Sequence, residues 1–418
     1  MRKLYLALVA VLASTMAFAQ GVTTSSMGGK ITDTAGEPLA GASIVAVHVP
    51  SGTTYGAATD FDGFYRISGM RSGGPYQVTI SYIGFNDDVK ENVFLTLGQS
   101  SRISSQLSES ATALDEVVVT AVGDGVFSAN KTGAETTVSQ RDIQTIPAAS
   151  RSVADFVRLT PQAQITEQTD GFEISISGQN NRFNAIYIDG AVNNDVFGLA
   201  GSGTNGGQTG VNPFSVDAIE SFQVQVAPFD VKISGFSGGA ISATTRSGTN
   251  NWEGSVYGFL RNESLAGKTP VDLTDEGEER ESLDEFSAQT YGFRIGGPLK
   301  KDKLFFFLNY ERQDDEIPQP FNISQYTGDS DEAGIQNLSN ELISRFGYDP
   351  GVFDNNTATL ESNKITAKID WNINESNNLS FRYGLVEAEN LEARNSNTRR
   401  IAFLNGSEFF KTTTNSFA

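Results

Sequence analysis

The 418-residue chain contains no cysteine, which excludes disulfides, thiol nucleophiles and thiolate metal sites. Its single histidine, His48, is too little imidazole for the ligand set of a zinc hydrolase. Methionine is scarce, at 4, against 28 phenylalanines and 42 glycines, a balance that favours β structure with many turns and aromatic anchors. Basic residues are outnumbered: 30 Lys and Arg against 50 Asp and Glu leave a formal net charge of −20. That charge argues against a nucleic-acid partner, whose phosphates it would repel. Beyond Gln20 no apolar run is long enough for a membrane helix, which needs about 20 residues. A membrane form would therefore have to be a closed barrel, because only helices and barrels satisfy their backbone hydrogen bonds in lipid.

The N-terminus gives an address. Arg2 and Lys3 precede the apolar run Leu4 to Leu12, and Ala17-Phe18-Ala19 places small residues where a signal peptidase reads them. Residues 1–19 read as a signal peptide cleaved before Gln20, so the protein leaves the cytoplasm. An exported chain without disulfides must be held by core burial or by a closed sheet.

Residues 28–108 read as a small β-sandwich of the immunoglobulin type, with about seven strands. Turn signals at Gly36-Glu37-Pro38, Pro50-Ser51-Gly52, Asp62-Gly63 and Gly73-Gly74-Pro75 separate alternating runs such as Ala42 to Val47, Phe64 to Ile67 and Tyr76 to Tyr82. His48 is expected to face out of an edge strand. Asp60 and Asp62 lack the closing Glu of a calcium loop, so Asp62-Gly63 reads as a hairpin turn. The wording Gly29-Lys30-Ile31-Thr32-Asp33, Gly41-Ala42-Ser43-Ile44-Val45, Thr59 to Tyr65 and Ser81-Tyr82-Ile83-Gly84-Phe85 resembles the carboxypeptidase-regulatory-like domain over roughly 80 residues. No catalytic set accompanies the resemblance.

A linker spans 109–125. It contains Asp115, Glu116, Val117, Val118, Val119, Thr120 and Ala121, a short segment of strong β propensity closed by Gly123 and Gly125. On pattern alone it is either one more sandwich strand or a tethered strand that adds to the edge of another protein's sheet. Its position before the next domain resembles the TonB box of TonB-dependent receptors. The resemblance implies pairing with a TonB-type inner-membrane energy-coupling protein.

Residues 126–248 read as a mixed α/β unit. Thr136 to Ile143 is strand-like, Ser152 is a helix N-cap candidate and Pro161 a stop. Phe172 to Gly178 and Asn184 to Gly190 alternate with period two, and Ile219 to Val226 and Gly238 to Gly248 complete the unit. Ile174 to Gly178, Ile186 to Gly190, Ile219 to Val224 and Gly238 to Ile241 resemble the plug of TonB-dependent receptors. Asn193 to Leu199 and the glycine-rich run after it look most like the Oar-like branch, related to the SusC-like glycan importers. Asn193, Asn194 and Asp195 are candidates to contact substrate at the plug apex. Gly201 to Gly206 satisfies G-x-G-x-x-G, but no helix-forming stretch follows it, and it reads as a loop rather than a dinucleotide site. Gly267-Lys268-Thr269 lacks the upstream glycine of a phosphate loop.

From 249 to 418 the pattern changes to longer strands. Tyr291, Phe293 and Ile295 alternate with Thr290, Gly292 and Arg294; Ile365 to Ile373 alternate with Lys364, Thr366, Lys368, Asp370 and Asn372; Leu379, Phe381, Tyr383 and Leu385 follow suit. Such alternation suits a transmembrane antiparallel β-barrel, although a soluble sheet can also alternate. Short turns at Gly297 to Asp302 and Asn374 to Asn378 alternate with long polar links, as expected for periplasmic turns and external loops. Leu304 to Tyr310 is expected to be a lipid-facing aromatic band. The acidic stretch Asp272 to Glu285 falls in an external loop, either as solvated surface or as a capture site for cations or substrate. Five strands and the start of a sixth near Phe409 cannot close a barrel of about 22 strands, so the chain is expected to be an N-terminal fragment truncated at Ala418.

The fold expected is mainly β: sandwich, plug, then the first strands of an incomplete outer-membrane barrel in contact with lipid. The function expected is energy-coupled uptake of an unidentified small molecule, glycan or peptide, without catalysis, cofactor or metal. A surface adhesion or protein-export role on the same architecture is the alternative.

Overall fold

The computed structural model describes residues 23–110, 134–146, 151–168, 171–226, 236–268, 279–280, 282–374 and 377–418. The signal segment and the linker motif Asp115 to Ala121 lie outside the described residues, as does most of the acidic stretch after Asp272.

The first unit is a two-sheet sandwich. Strands β1 (Thr24–Asp33), β4 (Phe64–Arg71), β7 (Ser100–Arg102) and β8 (Ser105–Leu107) form one sheet, with β4 and the short pair β7 and β8 on either side of β1. The other sheet has the order β3 (Thr53–Ala58), β2 (Ser43–His48), β5 (Gly73–Ser81), β6 (Asp88–Leu95). Alternate residues of both inner faces, including Met27, Ile31, Ile44, Tyr65, Ile67, Tyr76, Val78 and Ile80, close one core. Eight strands replace the expected seven because the last stretch breaks into two short pieces that pair β1 in parallel.

Two local expectations change. Asp62-Gly63 makes a turn, but β3 and β4 belong to different sheets, so it is a crossing and not a hairpin. The Asp60 carboxylate accepts from the backbone N–H of Asp62 and Phe64, and Gly63 takes φ 78°, where a Cβ would be strained. His48 lies on a central strand, not an edge, with β3 and β5 on its two sides. Its alternation puts it inward with Ile44 and Ala46, its ring 4.9 Å from that of Tyr76 and its Nδ1 2.7 Å from Ser51 Oγ.

Burial, with the Arg71 charge nearby, lowers the His48 pKa to about 3. Between that value and an ordinary value of about 6.5, the unfolded chain takes up a proton that the folded chain refuses. Stability contributed by the neutral ring is therefore complete above about pH 6.5 and lost as the pH falls towards 3. The sandwich is expected to lose about 2 kcal/mol between pH 7.5 and pH 5. Urea titrations at both pH values would show the loss, and His48→Gln should remove most of it; an equal loss in that variant would disprove the assignment.

The second unit carries a five-stranded sheet ordered β13 (Ala191–Val192), β12 (Ala185–Ile188), β15 (Ala240–Thr245), β14 (Ile219–Gln225), β9 (Glu135–Ser139). Strands β10 (Ala163–Gln168) and β11 (Gly171–Ile176) form a separate ribbon. Ser139 ends β9 and caps α1 (Gln140–Thr145) in a reciprocal capping box with Asp142. Ser152 does the same with Asp155 for α2 (Val153–Val157), whose buried face joins Ile174, Ile176, Ile186, Ile188, Phe222, Val224 and Ile241 in the core. The run from Gly201 to Gly206 is a turn stapled by an Asn194–Thr204 bridge and followed by a 3-10 turn, not a helix.

Six antiparallel strands pair in chain order: β16 (Glu253–Asn262), β17 (Ser287–Lys300), β18 (Leu304–Pro320), β19 (Asn355–Asn374), β20 (Asn377–Glu392) and β21 (Glu408–Phe417). β16 and β21 do not pair with each other, so the sheet is an open wall. A helix, α3 (Glu332–Phe346), occupies the long link between β18 and β19. Alternation assigns the faces: Tyr291, Phe293, Ile295, Ile369, Trp371 and Phe381 are exposed outward, whereas Lys364, Thr366, Lys368, Asp370 and Arg382 are buried against the plug. The aromatic strand departs from expectation. Phe305 is 0% and Phe307 4% exposed, because they stand opposite Asp370 and Lys368 on the plug side. Leu304, Phe306, Leu308 and Tyr310 share the outward face with Trp371, Ile369, Ala367 and Ile365.

Candidate functional site

The plug meets the wall through side chains that alternation turns inward, and the contacts follow the strand axis. Nearest the short turns, Ile188 ends β12 and Asp189 follows at φ 47°, a left-handed position that Asp tolerates. This kink aims the carboxylate at β19 and β20. It accepts from Thr245 N at 2.8 Å, and its oxygens lie 3.5 Å from Lys368 Nζ and 3.0 Å from Arg382 Nε. Lys368 and Arg382 face each other in register, and Lys368 also donates to Thr245 O at 3.1 Å. The three charged side chains are at most 8% exposed, so each depends on the others for solvation.

Midway along the wall a second group forms. Glu311 on β18 pairs with Lys364 on β19 at 3.0 Å, accepts from Ser215 of the plug at 2.7 Å and from Tyr257 of β16 at 3.1 Å. Beside it Arg151 of the plug binds Asp217 and lies 3.9 Å over the Phe259 ring of β16. Towards the long links, Asn390 of β20 donates to Thr209 O at 3.2 Å.

The segment after β13 therefore sits at the end of the plug facing the long links. Asn193 is buried, and its Nδ2 has no hydrogen-bond partner among the described residues. Asn194 accepts from Ile186 N at 2.7 Å and donates to Asn184 O at 3.3 Å. Asp195 accepts from the N–H groups of Phe197 at 3.0 Å and Ala200 at 2.7 Å, and also from Leu199. Burial alone would raise its pKa, but these N–H groups hold it below the usual carboxylate value. The polar side chains thus fold the loop, and what the loop presents is apolar: Val196, Phe197 and Leu199 are exposed.

The structure brings Asn193, Asn194 and Asp195 together on one loop, while the motif Asp115 to Ala121 is outside the described residues. The sequence reading did not single out Asp189, Glu311, Lys364, Lys368 or Arg382 as a site. A signal existed for the last four: a charged residue on the polar face of a strand whose other face is apolar must have a lumenal partner.

Three family models match successive parts of the chain: the carboxypeptidase regulatory-like domain over residues 7–108, the TonB-dependent receptor plug domain over 128–241, and an outer membrane beta barrel domain over 244–350. Among curated relatives, the TonB-dependent transporter Oar of Myxococcus xanthus is 25% identical over 77% of this chain and 30% of its own length. The probable TonB-dependent siderophore receptor PirA of Acinetobacter baumannii is 26% identical over 50% of this chain and 26% of its own length. The TonB-dependent receptor SusC of Bacteroides thetaiotaomicron is 34% identical over 29% of this chain and 11% of its own length. The chain thus spans about a third or less of the relatives it matches. Sandwich, plug and charged wall follow one another as these three matches do, and in its regulatory-like, plug and outer-membrane barrel domains the chain is similar to TonB-dependent receptors.

Proposed function

We propose that this protein takes up a substrate across the outer membrane with energy supplied by a TonB-type inner-membrane protein, and that it breaks no bond in doing so. The observation that carries this reading is the plug seated against the wall by the buried ion pairs of Asp189 with Lys368 and Arg382 and by the hydrogen bond from Ser215 to Glu311. A plug held by a few charge contacts can be released by force and can reseat, which a continuous apolar core could not do as readily. The force would enter through Asp115 to Ala121, which precede β9, the edge strand of the plug sheet. Backbone pairing with a partner's sheet edge needs extendable residues rather than particular side chains. Residues 1–19 act as the cleaved signal, and the sandwich and coupling segment stand in the periplasm.

The substrate class is a small molecule, a glycan or a peptide, met by the loop that Asn193, Asn194 and Asp195 hold in shape. Deleting Asp115 to Ala121 is expected to reduce uptake to background with surface levels unchanged. Val118→Pro, which removes a backbone donor, should do nearly as much, and Val118→Thr little. Undiminished uptake in the deletion would defeat the proposal and favour adhesion or export instead.

A further inference from the structure

The sandwich has two unlike ends. At one end lie the β2–β3 turn and the last residues of β4; at the other lie the β3–β4 and β5–β6 connections. The first end is occupied by the rest of the chain. Pro50 O accepts from Asn250 N at 2.7 Å, and Thr53 Oγ1 accepts from Asn372 Nδ2 at 2.9 Å. Gly52, at φ 65°, lies so close to Asp302 that a Cβ would overlap its carboxylate. Arg71 Nη2 is 3.3 Å from Asp370 Oδ2, and Gln99 bonds Glu135 at the start of β9. Asn250, Asp302 and Asn372 all belong to the short-turn end of the wall.

Among the described residues the other end is bare. Phe61 is 93% and Ile83 96% exposed there. Beside Ile83, Ser110 N donates to Gly84 O at 2.8 Å, so the chain leaves for the coupling segment from the undocked end. It re-enters the plug at Glu135, against the docked end.

A line of charge runs inward from the docked end. Arg71 faces Asp370, which stands two residues from Lys368 on the same inward face of β19 and also accepts from Ser380 at 2.8 Å. Lys368 faces Asp189 of the plug. Sandwich, wall and plug are joined through four side chains.

We propose that the end of the sandwich formed by Pro50–Thr53 and Arg71 is a docking surface for the short turns of this chain's own barrel, and that in its seat it holds the plug in place through Asp370, Lys368 and Asp189. The contact needs no coupling partner, so it goes beyond the uptake role proposed above and can fail independently of it. Physically, an Arg71 cation beside Asp370 completes a buried alternation of charge, and without it Asp370 would compete with Asp189 for Lys368.

These 418 residues hold no cysteine, so an engineered pair is the only pair within them. In the intact receptor in outer-membrane vesicles, Thr53→Cys with Asn372→Cys is expected to form a disulfide in most molecules on mild oxidation. Phe61→Cys with Asn372→Cys should form almost none. Arg71→Glu should lower the first yield by about tenfold and speed amide exchange in β12 and β15 by a similar factor. Arg71→Gln should act in the same direction with a smaller effect, and closing the disulfide in either variant should re-seat the sandwich yet leave exchange fast, because Asp370 still lacks its cation. Equal yields from the two cysteine pairs would overturn the docking surface. Slow exchange persisting in Arg71→Glu would overturn the hold on the plug. Deleting Asp115 to Ala121 should leave the disulfide yield unchanged, which separates this contact from the coupling role.

Discussion

Asp189→Ala is expected to be the most disruptive single change at the plug–wall contact, costing about 3–5 kcal/mol. The carboxylate is the shared counter-ion of Lys368 and Arg382, whose side chains are 7% and 4% exposed. Removing it leaves two cations facing one another in register with no anion between them. It also withdraws an acceptor from Thr245 N at the end of β15. The measurement is amide exchange of β12 and β15 in the intact receptor, where protection should fall by about a hundredfold or more. Asp189→Asn keeps an acceptor for Thr245 but not the charge, and should lose nearly as much. Pairing Asp189→Ala with Lys368→Met removes one stranded charge and should recover part of the loss. Protection within about tenfold of the parent in Asp189→Ala would show that the two cations reach water, and the contact would then be no anchor.

Tyr76→Ala is expected to cost the sandwich about 3–5 kcal/mol, a large share of what a domain of this size commands. Tyr76 is fully buried between the two sheets, its ring packed against His48 at 4.9 Å and Tyr55 at 6.2 Å. Its hydroxyl donates to Arg71 O at 2.7 Å, which ties the core to the residue that meets Asp370. Truncation opens a cavity the size of a ring and strands a carbonyl, two penalties that add. Tyr76→Phe separates them, since it keeps the ring and should cost only about 1 kcal/mol. Denaturant titration of both variants reads the difference; equal losses would mean that the hydrogen bond, not the packing, dominates.

The architecture was largely legible because β side chains repeat every two residues. Ile365 to Ile373 against Lys364 to Asn372 could only be a strand with one apolar and one polar face, and the wall has those faces as read. The alternating short and long links were equally readable from their glycines, prolines and polar runs. His48 was not. Its alternation was plain, but facing in or out depended on β2 being flanked on both sides, and strand order is set by pairings between distant segments. Phe305 and Phe307 were misread for a related reason: an aromatic run marks lipid only if its neighbours do, and their neighbours across β19 are Asp370 and Lys368.

The charge contacts show the division most clearly. The sequence by itself determined that Lys368 and Arg382 sit on polar faces of strands, where a charge must find either water or a partner. That the partner is Asp189, 179 residues before Lys368, was decided only by the tertiary structure. A left-handed turn after β12 and the register of β19 with β20 bring the three together, and neither can be read from any local run of residues.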